Sequence, residues 1–144
     1  MTTESIRELF QRYQEFFRNA INGEVDMEQG ASFYATAIIG AGPAGVMTSQ
    51  NDEGFKEFLR QGFEAYREMG TKDMRMRGID ITSIDELHCL ARVSWTAVYG
   101  RDDDRDVAID FDVHYLVQQI QRTPKVFGWI SGDEQAALKE HGIV

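Results

Sequence analysis

Ile38–Gly45 reads Ile-Ile-Gly-Ala-Gly-Pro-Ala-Gly, an apolar extended pair running into a glycine-rich turn. Read one way, it opens a dinucleotide-binding unit and makes the chain a parallel α/β protein. Read the other way, it is the turn of a hairpin. A dinucleotide fingerprint needs three things: a buried strand ending at the first glycine, a helix starting on the loop, and a second strand delivering an acid to the ribose about 20 residues on. Ala35–Ile39 supplies the strand, but the rest fails. Val46–Gly54 (VMTSQNDEG) has no apolar helical face and contains a glycine, while Arg60–Glu68 lies inside an amphipathic helical pattern. Gly42-Pro43-Ala44-Gly45 therefore reads as a hairpin-type turn, and no flavin or nicotinamide cofactor is expected.

The sequence before the turn is helical. Ile6, Leu9, Phe10, Tyr13, Phe16, Phe17, Ala20 and Ile21 recur at spacings of three and four, with Arg7, Glu8, Gln11, Arg12 and Arg18 mostly on the other side. Ser5 and Glu8 have the spacing of a capping box, and Gly23 ends the helix. A short second helix starts at Asp26, with Gln29 in the reciprocal position, and runs toward Phe33–Tyr34. Beyond the turn, Asn51 or Asp52 caps a third helix carrying Phe55, Phe58, Leu59, Phe63, Tyr66 and Met69, with Gly70 as its stop.

After Gly70 the period changes to two. Met74 and Met76 alternate with Arg75 and Arg77, and Gly78 shifts the phase as a bulge would. Cys89 to Tyr99 and Ile109 to Val117 alternate in the same way, Val126–Ser131 is a further strand, and Asp133 caps a last helix stopped by Gly142. Helices come first, then long strands joined by hairpins, then a closing helix. With no crossover helix between the strands, a parallel sheet is excluded and the chain is one α+β domain.

The composition narrows the function. Fifteen Lys and Arg against 24 Asp and Glu leave a net charge of −9, which repels phosphate backbones and anionic lipids, so neither nucleic acid nor membrane is an expected partner. At 144 residues the chain can bury roughly two-thirds of its unfolded surface. Its single cysteine, Cys89, sits among apolar neighbours and reads as a small core residue. MTTESIRELFQRYQ has no apolar run of signal-peptide or membrane-span length, and a cytoplasmic location is expected. His88 and His141 lack partners at ligand spacing, and Asp102-Asp103-Asp104 lacks the glycine and distal glutamate of a calcium loop. No metal is expected, and the acidic run reads as a charged hairpin tip.

The order of elements, with FYATAIIGAGPAGV, RVSWTAVY, IDFDVHYLV and VFGWISGDEQ in sequence, resembles the nuclear-transport-factor-2-like superfamily, which includes ketosteroid isomerases and SnoaL-type cyclases. The resemblance implies N-terminal helices packed in the concave face of a strongly curved, mostly antiparallel sheet. It also implies a short C-terminal helix, a pocket in the open end of the cone, and dimers formed through the sheet. In FDVH, Asp112 stands where ketosteroid isomerases hold an oxyanion-stabilising acid, and Tyr13 near their tyrosine donor. Their general base would fall near Ile39–Gly40, neither of which can take a proton, so that chemistry is not expected.

Asp112 and His114 point to one face of their strand and are the candidate catalytic pair. If the hairpin is regular, Ser94 lies opposite Asp112 and Arg92 opposite His114, which describes a solvated or interface face. Trp95, Phe111, Val113 and Tyr115 then form the buried one. Three readings stay open. The leading one is a homodimer holding a small, largely apolar ligand against Tyr13, Phe17, Tyr34, Trp95 and Trp129. The second is a cyclase, isomerase or dehydratase using Asp112 and His114, and the third is a non-catalytic interaction module.

Overall fold

A computed structural model describes residues 1–23, 25–101 and 105–144. Helix α1 (Thr3–Ile21) begins one turn earlier than a Ser5–Glu8 box would place it. Thr2 is its cap, accepting from the Ser5 amide at 3.1 Å while the Ser5 hydroxyl donates to the Thr2 carbonyl. The other caps fall on the expected residues. Asp26 accepts from the amides of Glu28 and Gln29 to start α2 (Met27–Ser32), and Asp52 accepts from Phe55 to start α3 (Glu53–Glu68). Asp133 accepts from Ala136 to start α4 (Glu134–Glu140). A carboxylate at each of these positions satisfies an amide that has no intrahelical partner.

Strands β1 (Tyr34–Gly42) and β2 (Gly45–Gln50) form a hairpin with Gly42 opposite Gly45 across Pro43-Ala44. Gly45 has φ +127°, a conformation closed to ordinary side chains, and this accounts for one glycine of the opening stretch. Strands β3 (Thr71–Ser83), β4 (His88–Gly100), β5 (Asp106–Gln118) and β6 (Lys125–Ser131) complete a six-stranded sheet in the order β2-β1-β6-β5-β4-β3.

All but one of the neighbouring pairs are antiparallel; β1 and β6 run parallel. The sheet is thus mostly antiparallel, as expected, with this single parallel pair joining its two halves. The rule that parallel neighbours need a crossover is met because everything from β2 to β5 lies between them in sequence. The β3–β4 ladder slips between Met76 and Gly78, at the predicted bulge, and slips again between Thr71 and Asp73. Bulges bend a strand and raise its twist, and here they curve the sheet around the helices.

The core fills the concave side. Ile6, Leu9, Phe10 and Ala20 of α1 are buried to 1% exposure or less, and Ala91, Val93 and Ala97 of β4 are fully covered. Large rings come from both layers, Phe10, Phe16 and Phe17 from α1 and Trp95, Tyr99 and Tyr115 from the strands. The acidic run Asp102–Asp104 lies outside the described residues. Among the described residues no helix is long and apolar enough to cross a membrane.

Candidate functional site

Strand parity decides which side chains meet. On β5, Val113 and Tyr115 point inward with Phe111, so Asp112 and His114 point outward. The β4–β5 hairpin is regular over its described length, with Ser94 opposite Asp112 and Arg92 opposite His114, as its alternation predicts. The outer face carries a charged ladder. The Arg77 guanidinium lies 3.5 Å from Asp110 and 3.9 Å from Asp112, the Thr96 hydroxyl donates to Asp110 at 2.7 Å, and Arg92 pairs with Asp80 at 2.7 Å. The Asp112 side chain keeps 44% of its surface in water. The pair proposed for catalysis thus stands together, but with the thickness of the sheet between it and the concave side.

The concave side holds a cavity of about 260 Å³ between sheet and helices. Tyr13, Phe17, Tyr34, Trp95 and Trp129, drawn from α1, β1, β4 and β6, all line it. Tyr13 is the hub, its ring centre lying 6.0 Å from Trp95, 6.2 Å from Tyr115 and 5.6 Å from Phe33. Trp129 stands edge-on to Tyr34 at 6.0 Å. Its indole is seated by Gly40, the residue beside it in the parallel ladder, where no side chain intervenes. This accounts for a second glycine of the opening stretch: an aromatic ring, not a pyrophosphate, approaches the backbone there.

The polar atoms of the site are few and paired economically. The Tyr34 hydroxyl donates to that of Tyr13 at 3.4 Å, and the Trp95 indole N–H donates to the Tyr115 hydroxyl at 3.3 Å. Burial pushes the phenols of Tyr13, Tyr34, Tyr66 and Tyr115 above their ordinary range, so all four are neutral donors at physiological pH. Among the described residues no Lys, Arg or His lines the cavity.

Two contributions escaped the sequence reading. The first is the inner face of α3, where Phe58, Leu59, Gly62 and Tyr66 form one wall. Their spacing marked the face but could not distinguish core from cavity lining. The second is Glu134, in the first turn of α4, which reaches into the site and whose carboxyl is held above its usual range by burial. An acid directly after an N-cap ordinarily faces solvent and complements the helix dipole, so only the docking of α4 reveals its direction. A second chamber of about 210 Å³ adjoins the first and shares Gly62, Tyr66, Phe111 and Glu134 with it.

Solved structures share this architecture at low sequence identity. An NTF2-like protein of unknown function from Shewanella oneidensis is 14% identical with a TM-score of 0.66, the match covering 92% of this chain and all of that one. An NTF2-like protein with a cystatin-like fold from Novosphingobium aromaticivorans gives 15% and 0.68, over 95% and 86% of the two chains. A ketosteroid isomerase-like protein from Erwinia carotovora gives 12% and 0.63, over 90% and 93%. No curated protein matches the chain. At these identities the likeness concerns the fold alone. A family model described as NTF2-like protein (DUF6841) matches residues 3–134, and the chain belongs to that NTF2-like family.

Proposed function

We propose that the chain binds a small, largely apolar molecule in the aromatic cavity, with no reaction assigned to it. The observation that carries this reading is the lining: two indoles, four phenols and several phenylalanines around open space, with the hydroxyls mostly satisfied among themselves. A site of this kind takes its affinity from buried apolar area, at roughly 25 cal/mol per Å², and its orientation from a few polar groups. Titration with an apolar dye tests it, read by quenching of Trp95 and Trp129. Trp95→Ala is expected to weaken the dye about tenfold, or about 1.4 kcal/mol, while Asp112→Asn leaves it unchanged. The reverse pattern would move the site to the outer face and favour an enzyme using Asp112 and His114.

We also propose a homodimer formed through the sheet. Ile39, Val46 and Ile130 lie on the outer face of β2-β1-β6 and are 38%, 67% and 50% exposed. The charged ladder occupies the β3-β4-β5 half of the same face. An apolar patch bordered by charge is a self-complementary surface for a two-fold contact. The buried Cys89, whose thiol burial keeps protonated, suits the reducing cytoplasm, where we place the protein's work.

A further inference from the structure

The two chambers on the concave side meet at one carboxylate. Glu134 projects from the first turn of α4 into the gap shared with Gly62, Tyr66 and Phe111. Among the described residues, no cation and no hydrogen-bond donor pairs with it. Asp133, Asp73 and Asp110, by contrast, have partners: Asp133 caps α4, Asp73 binds Arg18 at 2.7 Å, and Asp110 accepts from Thr96. The titratable groups facing Glu134 from the packed elements are Tyr13 of α1, Tyr66 of α3, Tyr99 of β4 and Tyr115 of β5. All are phenols, and among the described residues no Lys, Arg or His lines either chamber.

We infer that the cavity takes a small apolar amine, whose ammonium group pairs with the Glu134 carboxylate and lies against the surrounding rings while its hydrocarbon part fills the chamber beneath Trp95 and Trp129. The inference rests on the apolar-pocket reading and names the ligand class for that site. The half-buried Glu134 carboxylate has lost part of its hydration without gaining a partner, and a cationic ligand offsets that loss. Aromatic faces present negative charge density to whatever they enclose, which attracts ammonium and repels carboxylate. The field of a chain carrying −9 acts in the same direction on approaching ligands. A neutral carbonyl ligand could accept from a phenol, but it would leave the Glu134 carboxylate unpaired and draw nothing from the ring faces.

Calorimetric titration of the full chain with four matched probes separates these cases: phenylpropylamine, phenylpropanol, benzylacetone and phenylpropanoate. The amine is expected to bind at least about tenfold tighter than the alcohol and the ketone, with the carboxylate weakest. Glu134→Gln should abolish the preference for the amine over the alcohol, with circular dichroism and a cooperative thermal transition showing that the variant is folded. Should that variant fail to fold, the native protein gives the same information. Its amine preference should shrink as acid protonates Glu134, while alcohol binding holds. An alcohol or ketone that binds as well as the amine overturns the inference and leaves the pocket intact. So does an amine preference that survives Glu134→Gln. If none of the four binds, the pocket reading itself falls.

Discussion

The indole of Trp129 lies against the α-carbon of Gly40 so closely that a β-carbon built at residue 40 would stand 2.7 Å from its Cζ2. The two residues are neighbours in the parallel β1–β6 ladder. Gly40→Ala must therefore displace a ring that lines the cavity, and overpacking of this kind costs about 1–3 kcal/mol. Denaturant unfolding should show that loss. In the Trp129→Leu background the same substitution should cost clearly less, because the atom it meets is gone. Equal costs in both backgrounds would mean that the backbone, not the ring, sets the requirement for glycine.

The buried phenols make the fold sensitive to alkali. Tyr99 is pushed up to about 12 by burial, and Tyr34, Tyr66 and Tyr115 are raised well above their ordinary value. A group whose folded pKa exceeds its unfolded one contributes stability that is complete below the unfolded value, about 10 for tyrosine, and is lost as pH rises through the folded value. Stability should be flat through neutral pH and fall from about 10 upward. Unfolding curves at stepped alkaline pH, with tyrosinate absorbance recorded in parallel, check both the sign and the window. Rising stability in that range would refute it.

Glu134 follows the same rule at the acid end. Its folded pKa lies above the ordinary 4.5, so its contribution is present below that value and is lost as pH rises through the raised one. Above that raised value the half-buried, ionised carboxylate weakens the ligand-free protein. Glu134→Gln should accordingly raise the thermal midpoint at neutral pH and lose that advantage in acid. An advantage that persists at low pH would point to packing instead of charge.

Gly62 interrupts the inner wall of α3, and nothing lies within 4 Å of the β-carbon it lacks. Glycine inside a helix costs about 0.5–1 kcal/mol relative to alanine. Gly62→Ala should recover about that much without a clash, measured by denaturant unfolding, while adding a methyl group to the lining of both chambers. A destabilised variant would show that the open space closes in solution.

The proposed dimer is checked by light scattering at micromolar concentration, where the native chain should show twice its monomer mass. Ile130→Asp places a charge in the apolar half of the outer face, opposite His114, and should yield the monomer. A native monomer would remove the dimer from the account.

Where local chemistry dictated structure, it was legible in the residues. Asp26, Asp52 and Asp133 announce helix starts because their side chains satisfy amides close by. Gly23, Gly70 and Gly142 mark stops because each adopts positive φ. The bulge at Gly78 appears in the sequence as a change of phase. Tyr13, Phe17, Tyr34, Trp95 and Trp129 face the same cavity because strand parity and helix spacing fix the side on which each stands. Features set by docking were not legible. The direction of Glu134 depends on where α4 lands, and the parallel β1–β6 contact joins segments with no local signal in common. Strand β2 left little trace in the residues, since Gly45–Gln50 is a short edge strand, mostly exposed, with no marked alternation.

That parallel contact also bears on how the chain is made. Strand β1 leaves the ribosome early, paired on one side with β2, and its other side has no partner until Lys125–Ser131 has been synthesised. Until then, the edge that will seat Trp129 is a bare row of backbone donors and acceptors beside Ile39. Contacts of such sequence separation form late and slowly. The nascent chain is therefore most prone to self-association before its last strand emerges, and truncation ahead of Lys125 should leave an aggregating product rather than a smaller folded one.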